Sequence, residues 1–151
     1  MPQDLAKNNP YMTMVVNILR TGSLIDHKVS DVLKPFDITH IQFNILRSLE
    51  AVHPEVLSVG DINNGLMFPT SDVTRLLDRL EKRALITRLI CPENRRKMDI
   101  SITDKGLNVI ENALPGIEAV LDGYYRNNIS ENERDLVVDV LKRINNSLKT
   151  N

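Results

Sequence analysis

Residues 69–85, P-T-S-D-V-T-R-L-L-D-R-L-E-K-R-A-L, decide the reading of this chain. Val73, Leu76, Leu77 and Leu80 recur at i, i+3, i+4 and i+7, which makes one apolar helix face that must dock on a core. Ser71, Thr74, Arg75, Asp78, Arg79 and Lys82 fall on the opposite face. A helix that shows small hydroxyls and then arginines can enter a DNA major groove, where hydroxyls and guanidinium forks read base edges or grip phosphates. The same face also fits an ordinary solvated helix surface, so the flanking chain has to decide.

Upstream, Ser58-Val59-Gly60-Asp61 is a start signal for a short helix to about Gly65 or Leu66, and Met67, Phe68 and Pro69 form a turn. Two short helices in succession, the second with a polar N-terminus, are the helix-turn-helix arrangement. Downstream the period changes from 3.6 to about 2. Lys97 to Ile102 alternates strictly and Ile86 to Cys91 is β-rich, which predicts an antiparallel hairpin. Its connection, Pro92-Glu93-Asn94-Arg95-Arg96, places two arginines at the tip of what would be a wing.

Farther out, Thr39-His40-Ile41-Gln42 has the form of a capping box and opens a helix carrying Ile41, Ile45, Leu46, Leu49 and Val52, closed by His53-Pro54. Residues 1–9 show no pattern and read as a frayed terminus. From Val15 the positions Ile18, Gly22, Ile25, Val29, Val32 and Phe36 follow alternating spacings of three and four, the rule for helices that pack along their length, with Gly22 as a point of close helix approach. Leu107, Ile110, Leu114, Ile117, Leu121 and Tyr124 space the same way behind a Thr103 cap, with a kink expected at Pro115. Ser130-Glu131-Asn132-Glu133 caps a last helix with Val137, Val140, Leu141, Ile144 and Leu148 inward. These terminal stripes are longer than a small winged lobe can cover.

The 151 residues are 42% hydrophobic and 26% charged, ordinary for one globular domain. A net charge of −1 argues against a protein that coats nucleic acid nonspecifically, but the charge is uneven. Residues 70–97 hold eight basic and four acidic side chains, whereas 107–151 hold five and seven. The single cysteine, Cys91, cannot form an internal disulfide and reads as a packing residue or inert thiol. Met1-Pro2-Gln3-Asp4 does not begin a signal peptide and no apolar run approaches a membrane span, so the expected location is cytoplasmic with no membrane partner. His27, His40 and His53 lie in separate segments, which implies no metal site. No nucleophile–base pair or phosphate loop supports an enzyme or a cofactor.

From about Asp37 to Gly106 the chain resembles the MarR family of bacterial transcription regulators. The resemblance rests on Ile38-Thr39 to Gln42-Phe43 with Leu46, on Val73-Thr74-Arg75-Leu76-Leu77-Asp78-Arg79-Leu80-Glu81-Lys82-Arg83, on Pro92 to Arg96, and on Ile102-Thr103-Asp104-Lys105-Gly106. It implies a mainly α fold with a small β-hairpin wing: a winged helix-turn-helix lobe over 37–106, with dimerisation helices over 10–36 and 107–151, in a single domain. It further implies a homodimer that reads a pseudo-palindromic operator in double-stranded DNA, commonly as a repressor that lets go when a small, often phenolic, ligand binds. The helix from about Thr70 would enter the major groove and Arg96 the minor groove. The candidate DNA contacts are Thr70, Ser71, Asp72, Thr74, Arg75, Arg79, Arg95, Arg96 and Lys97. For Ser71 the alternative is a helix N-cap, and for Asp72 a cap or dipole role against acceptance from a cytosine amino group. For Arg95, Arg96 and Lys97 the alternative is a solvated hairpin tip.

Two departures from the family pattern stand out. Asn94 replaces the usual Asp, removing a charge that would orient nearby arginines, and Ala84 replaces the usual Gly, from which a helix end without a left-handed residue is expected. The competing functional class is a dimeric winged helix that binds another protein instead of DNA.

Overall fold

The computed structural model describes residues 9–67, 69–92, 94 and 97–149. Among them α1 spans Pro10–Leu33 and runs into a single 3-10 turn, Lys34–Phe36. Then follow α2 (His40–Val52), β1 (Leu57–Ser58), α3 (Val59–Gly65), α4 (Val73–Lys82), β2 (Ile86–Ile90), β3 (Met98–Ile102), α5 (Asp104–Tyr125) and α6 (Glu131–Lys149). The chain divides into two compact units, residues 1–116 and 117–151, with α5 running across the division.

Local chemistry sets most element ends. Asn9, placed by its sequence in a frayed terminus, caps α1 instead: its side chain accepts from the Tyr11 N–H at 2.9 Å, and Pro10 occupies the first helical position, where no N–H is needed. At α2 the predicted box is complete, since Gln42 N–H donates to the Thr39 hydroxyl at 3.3 Å and Thr39 N–H to Gln42 Oε1 at 3.0 Å. Ser58 and Asp61 form the same device at α3, and Ser130 and Glu133 at α6.

The core of the first unit draws on every one of its helices. Val29 and Leu33 enter from α1, Phe43, Ile45, Leu46 and Leu49 from α2, and Ile62 from α3. Leu77, Leu80, Leu85, Ile86, Ile100 and Ile110 join them, each below 2% exposed. Each such side chain contributes about 1.5–3 kcal/mol through its removal from water. Within α2 the expected stripe is rotated: Ile41 is 46% exposed, while Gln42 and Phe43 are buried with Ile45, Leu46 and Leu49.

The sheet holds one strand more than the expected hairpin. β3 pairs antiparallel with β2 from Ile86↔Ile102 to Ile90↔Met98, and on its other edge with β1 through Leu57↔Ile100 and Ser58↔Asp99, giving the order β1-β3-β2. Two residues of β1 are too few to show an alternation in sequence. α5 continues through Pro115 without interruption. Gly22 has nothing within 4 Å of the position its Cβ would take, so it marks no close approach within the chain.

The terminal stripes remain uncovered. On α1, Tyr11, Met12, Met14, Val15, Ile18 and Leu19 are exposed, and no residue of α6 is buried.

Candidate nucleic-acid interface

Helix α4 presents the two faces its spacing demands. Val73, Leu77 and Leu80 are buried and Leu76 half-buried, while Thr74, Arg75, Asp78, Arg79 and Lys82 are exposed. The helix begins three residues later than the expected start near Thr70. Thr70 N–H donates to Asn63 Oδ1 at 2.9 Å and the Thr70 hydroxyl accepts from Asp72 N–H at 3.1 Å, so residues 70–72 form a turn tied to α3. The half-buried Thr70 holds the entry to the helix. Ser71 is exposed in the turn and is not the N-cap. Asp72 occupies the N-cap position but its side chain makes no capping bond, which leaves the carboxylate exposed beside the positive end of the helix.

The far end of α4 is fixed by the backbone. Leu85 N–H donates to Leu80 O at 3.0 Å and Ala84 N–H to Glu81 O at 2.7 Å, the paired bonds of a Schellman motif, with Leu80 and Leu85 both fully buried. Ala84 itself has φ 55°, correcting the expectation of an end without a left-handed residue: the paired bonds require that conformation whichever side chain stands there. Thr103 and Lys105 then pin this end from the start of α5. The Thr103 hydroxyl donates to Ala84 O at 2.8 Å and accepts from Gly106 N–H at 3.1 Å, and Lys105 Nζ donates to Arg83 O at 2.9 Å. A Cβ on Gly106 would stand 2.3 Å from Leu85 O, so the I-T-x-K-G string is a packing requirement on the end of α4.

Electrostatics sharpen the exposed face. Arg88, half-buried on β2, donates from Nε to Glu81 at 2.9 Å and from its terminal nitrogen to Asp78 at 2.6 Å. The Glu81 hydrogen bond above all raises the Arg88 pKa beyond its ordinary value, holding the guanidinium charged. The acids that α4 carries between its arginines are therefore matched from below, leaving Arg75, Arg79 and Lys82 to set the sign outside. Arg83 serves structure: it donates to Phe36 O at 2.7 Å and to Asp37 O, gripping the left-handed turn at Asp37 that joins α1 to α2. Neither role was legible in the sequence, where Arg88 counted only as charge and Arg83 as charge and as the last residue of the string that carries the family resemblance. The one available signal for Arg88 was Asp78 and Glu81 at i, i+3 with a basic residue on the adjoining strand.

At the wing, Cys91 N–H donates to Lys97 O at 3.0 Å, Asn94 N–H to Cys91 O at 3.2 Å and Lys97 N–H to Asn94 O at 2.8 Å. These bonds close the loop through the backbone. Lys97 is exposed and near enough to Asp61 to help lower that carboxyl, after the larger effect of the Ser58 hydrogen bonds. Arg95 and Arg96 lie outside the described residues, as does any orientation that Asn94 imposes on them. Thr74, Arg75 and Arg79 thus share one exposed helix face, Ser71 and Asp72 precede it in the turn, and Thr70 supports it from behind. Among the described residues no cluster of His, Cys, Asp and Glu fits a metal ion, and no helix is long and apolar enough to cross a membrane.

The sequence profile of the MarR family matches residues 36–97. The HTH-type transcriptional regulator PecS of Dickeya dadantii is 30% identical over 127 residues, covering 83% of this chain and 69% of PecS. AbsC, a MarR family transcriptional regulator from Streptomyces coelicolor, superposes with a TM-score of 0.85 at 20% identity, over 95% of this chain and 97% of AbsC. A cysteine-to-serine mutant of MarR from E. coli, crystallised with operator DNA, superposes with a TM-score of 0.78 at 21% identity, over 95% of this chain and 99% of that one.

Proposed function

The chain belongs to the MarR family of winged-helix transcriptional regulators, and from that premise we propose that it is a repressor that binds a pseudo-palindromic operator as a homodimer. The observation that carries the reading is the exposed face of α4. Thr74, Arg75, Arg79 and Lys82 stand outward there while Arg88 occupies the intervening acids. Guanidinium forks match guanine O6 and N7, and hydroxyls serve either strand. Ser71 and Asp72 in the preceding turn are the next contacts, and Asp72 accepts from a cytosine amino group. Thr70 contributes by positioning the turn. By family resemblance Arg95 and Arg96, with Lys97 beside them, serve the minor groove, where a narrow electronegative trough attracts arginine.

The exposed apolar stripes of α1 and α6 support a dimer formed through residues 10–36 and 107–151, since a lasting monomer would leave that surface in water. A small, phenolic effector that releases DNA completes the reading, again by family resemblance, and a cytoplasmic location follows from the role. The test is footprinting of the pure protein on DNA around its own gene, with affinity measured over a salt series. A steep fall of affinity with salt at a protected, two-fold repeated site is the expected outcome. Absence of DNA affinity at every salt concentration would leave the protein-binding alternative in its place.

A further inference from the structure

A cleft of about 390 Å³ opens between the junction of α1 with α2 and the C-terminal half of α4. Four cationic side chains line it: Lys34 at the end of α1, and Arg79, Lys82 and Arg83 from the other side. Asp37 is the single acid in the lining. The cleft has the size of a small-ligand site, but its rim is charged where such sites are mostly apolar, which selects for a compact anion.

The four cations are not equally available. Arg83 is committed to Phe36 O and Asp37 O and acts as a fixed charge. Lys34 lies 2.7 Å from Asp31, but that pair is exposed, worth little in water, and exchanges readily for a stronger partner. Arg79 and Lys82 have no ion-pair partner among the described residues. Asp37, whose carboxylate lies 3.7 Å from Arg83, offsets one of these charges, and a group carrying one to two negative charges and several acceptor oxygens answers those that remain.

We propose that this cleft is a phosphate-binding subsite, sharing Arg79 with the base-reading face of α4. Two sources supply that chemistry: a backbone phosphodiester of bound DNA, or the phosphate of a small free metabolite that would then compete with DNA for Arg79. The first source rests on the DNA-binding function proposed above; for the second, the competition rests on it and the binding of free phosphate does not.

The experiment uses full-length protein as wild type, Lys34→Gln and Lys82→Gln, with thermal melting as a fold control. Operator affinity is measured over a salt series against scrambled DNA, and pyrophosphate binding by calorimetry at fixed ionic strength. If the phosphate is DNA's, Lys34→Gln lowers the salt slope by about one while leaving the ratio of operator to scrambled affinity unchanged. If it is a free phosphate, pyrophosphate binds once per chain and displaces DNA beyond an ionic-strength control. Lys34→Gln then weakens pyrophosphate about tenfold and leaves the salt slope alone. Wild-type salt slopes and wild-type pyrophosphate behaviour in both variants overturn the proposal. Should the wild type bind no DNA at any salt, the DNA-reading function fails, and calorimetry alone still decides the cleft.

Discussion

Arg75 on α4 and Arg88 on β2 have opposite duties. Arg75 faces outward from the first turn of α4 and is expected to fork onto a guanine. Arg75→Ala should then cost about 1–3 kcal/mol of operator affinity and relax preference at one position, as measured on single-base operator variants. Unchanged preference at every position would sink that assignment. Arg88 pairs with Asp78 and Glu81, and its loss should also weaken DNA binding, because two carboxylates beside the phosphates would be left without their partner. For Arg88→Met we expect roughly 1 kcal/mol of lost affinity, uniform across sequences, and recovery of most of it in the triple variant Arg88→Met, Asp78→Asn, Glu81→Gln. Failure of the neutralised triple variant to recover would mean that Arg88 acts through packing instead.

Among the elements, α4 ends on a removable cost. Ala84 sits at φ 55°, a conformation about 1–2 kcal/mol unfavourable for an L-residue, of which the greater freedom of glycine in the unfolded chain returns part. Ala84→Gly should stabilise by about 0.5–1 kcal/mol and raise the melting temperature by roughly 1–4 °C. A lower melting temperature would contradict the left-handed assignment. The start of α6 answers to pH. Glu133 accepts from the Ser130 hydroxyl and N–H, which lowers its pKa from an ordinary value near 4.5. A lowered folded-state pKa means stability that is present above about pH 4.5 and lost as pH falls through the folded value. Wild type should therefore melt above Glu133→Gln at pH 6, with the gap closing as the pH falls through the lowered folded-state value. A gap that stays constant across this range would show that the ionised carboxylate adds nothing to the cap.

For the molecule taken together, the question is what covers α1 and α6. Tyr11, Leu19, Leu136 and Leu148 are each more than 60% exposed in the single chain, a large apolar surface for a monomer to leave in water. Sedimentation at micromolar concentration should find a dimer, and Ile18→Glu together with Leu19→Glu should shift it toward monomer or aggregate while lowering operator affinity by weakening two-site binding. A stable wild-type monomer with full operator affinity would refute the dimeric reading.

The features legible in the linear chain follow from short-range physics. The capping boxes at Thr39, Ser58 and Ser130 bind atoms three residues apart, and the faces of α4 follow from 3.6 residues per turn, so one-dimensional spacing suffices for both. The ordered match from Ile38 to Gly106 carried the family as well. Features that depend on groups distant in the chain were set by the three-dimensional packing and by nothing shorter in range. The two-residue strand β1 exists because β3 offers it an edge, and α4 starts at Val73 because Asn63 holds Thr70 in a turn. Ala84 turns left-handed because the carbonyls of Leu80 and Glu81 and the anchor from Thr103 require it. Arg83 and Arg88 look like the arginines beside them, and only their partners 46 and 10 residues away turn one into a clasp on the α1–α2 junction and the other into a counterion beneath α4. Such pairings are invisible in composition and periodicity, because they arise only when packing of the apolar faces has brought the elements together.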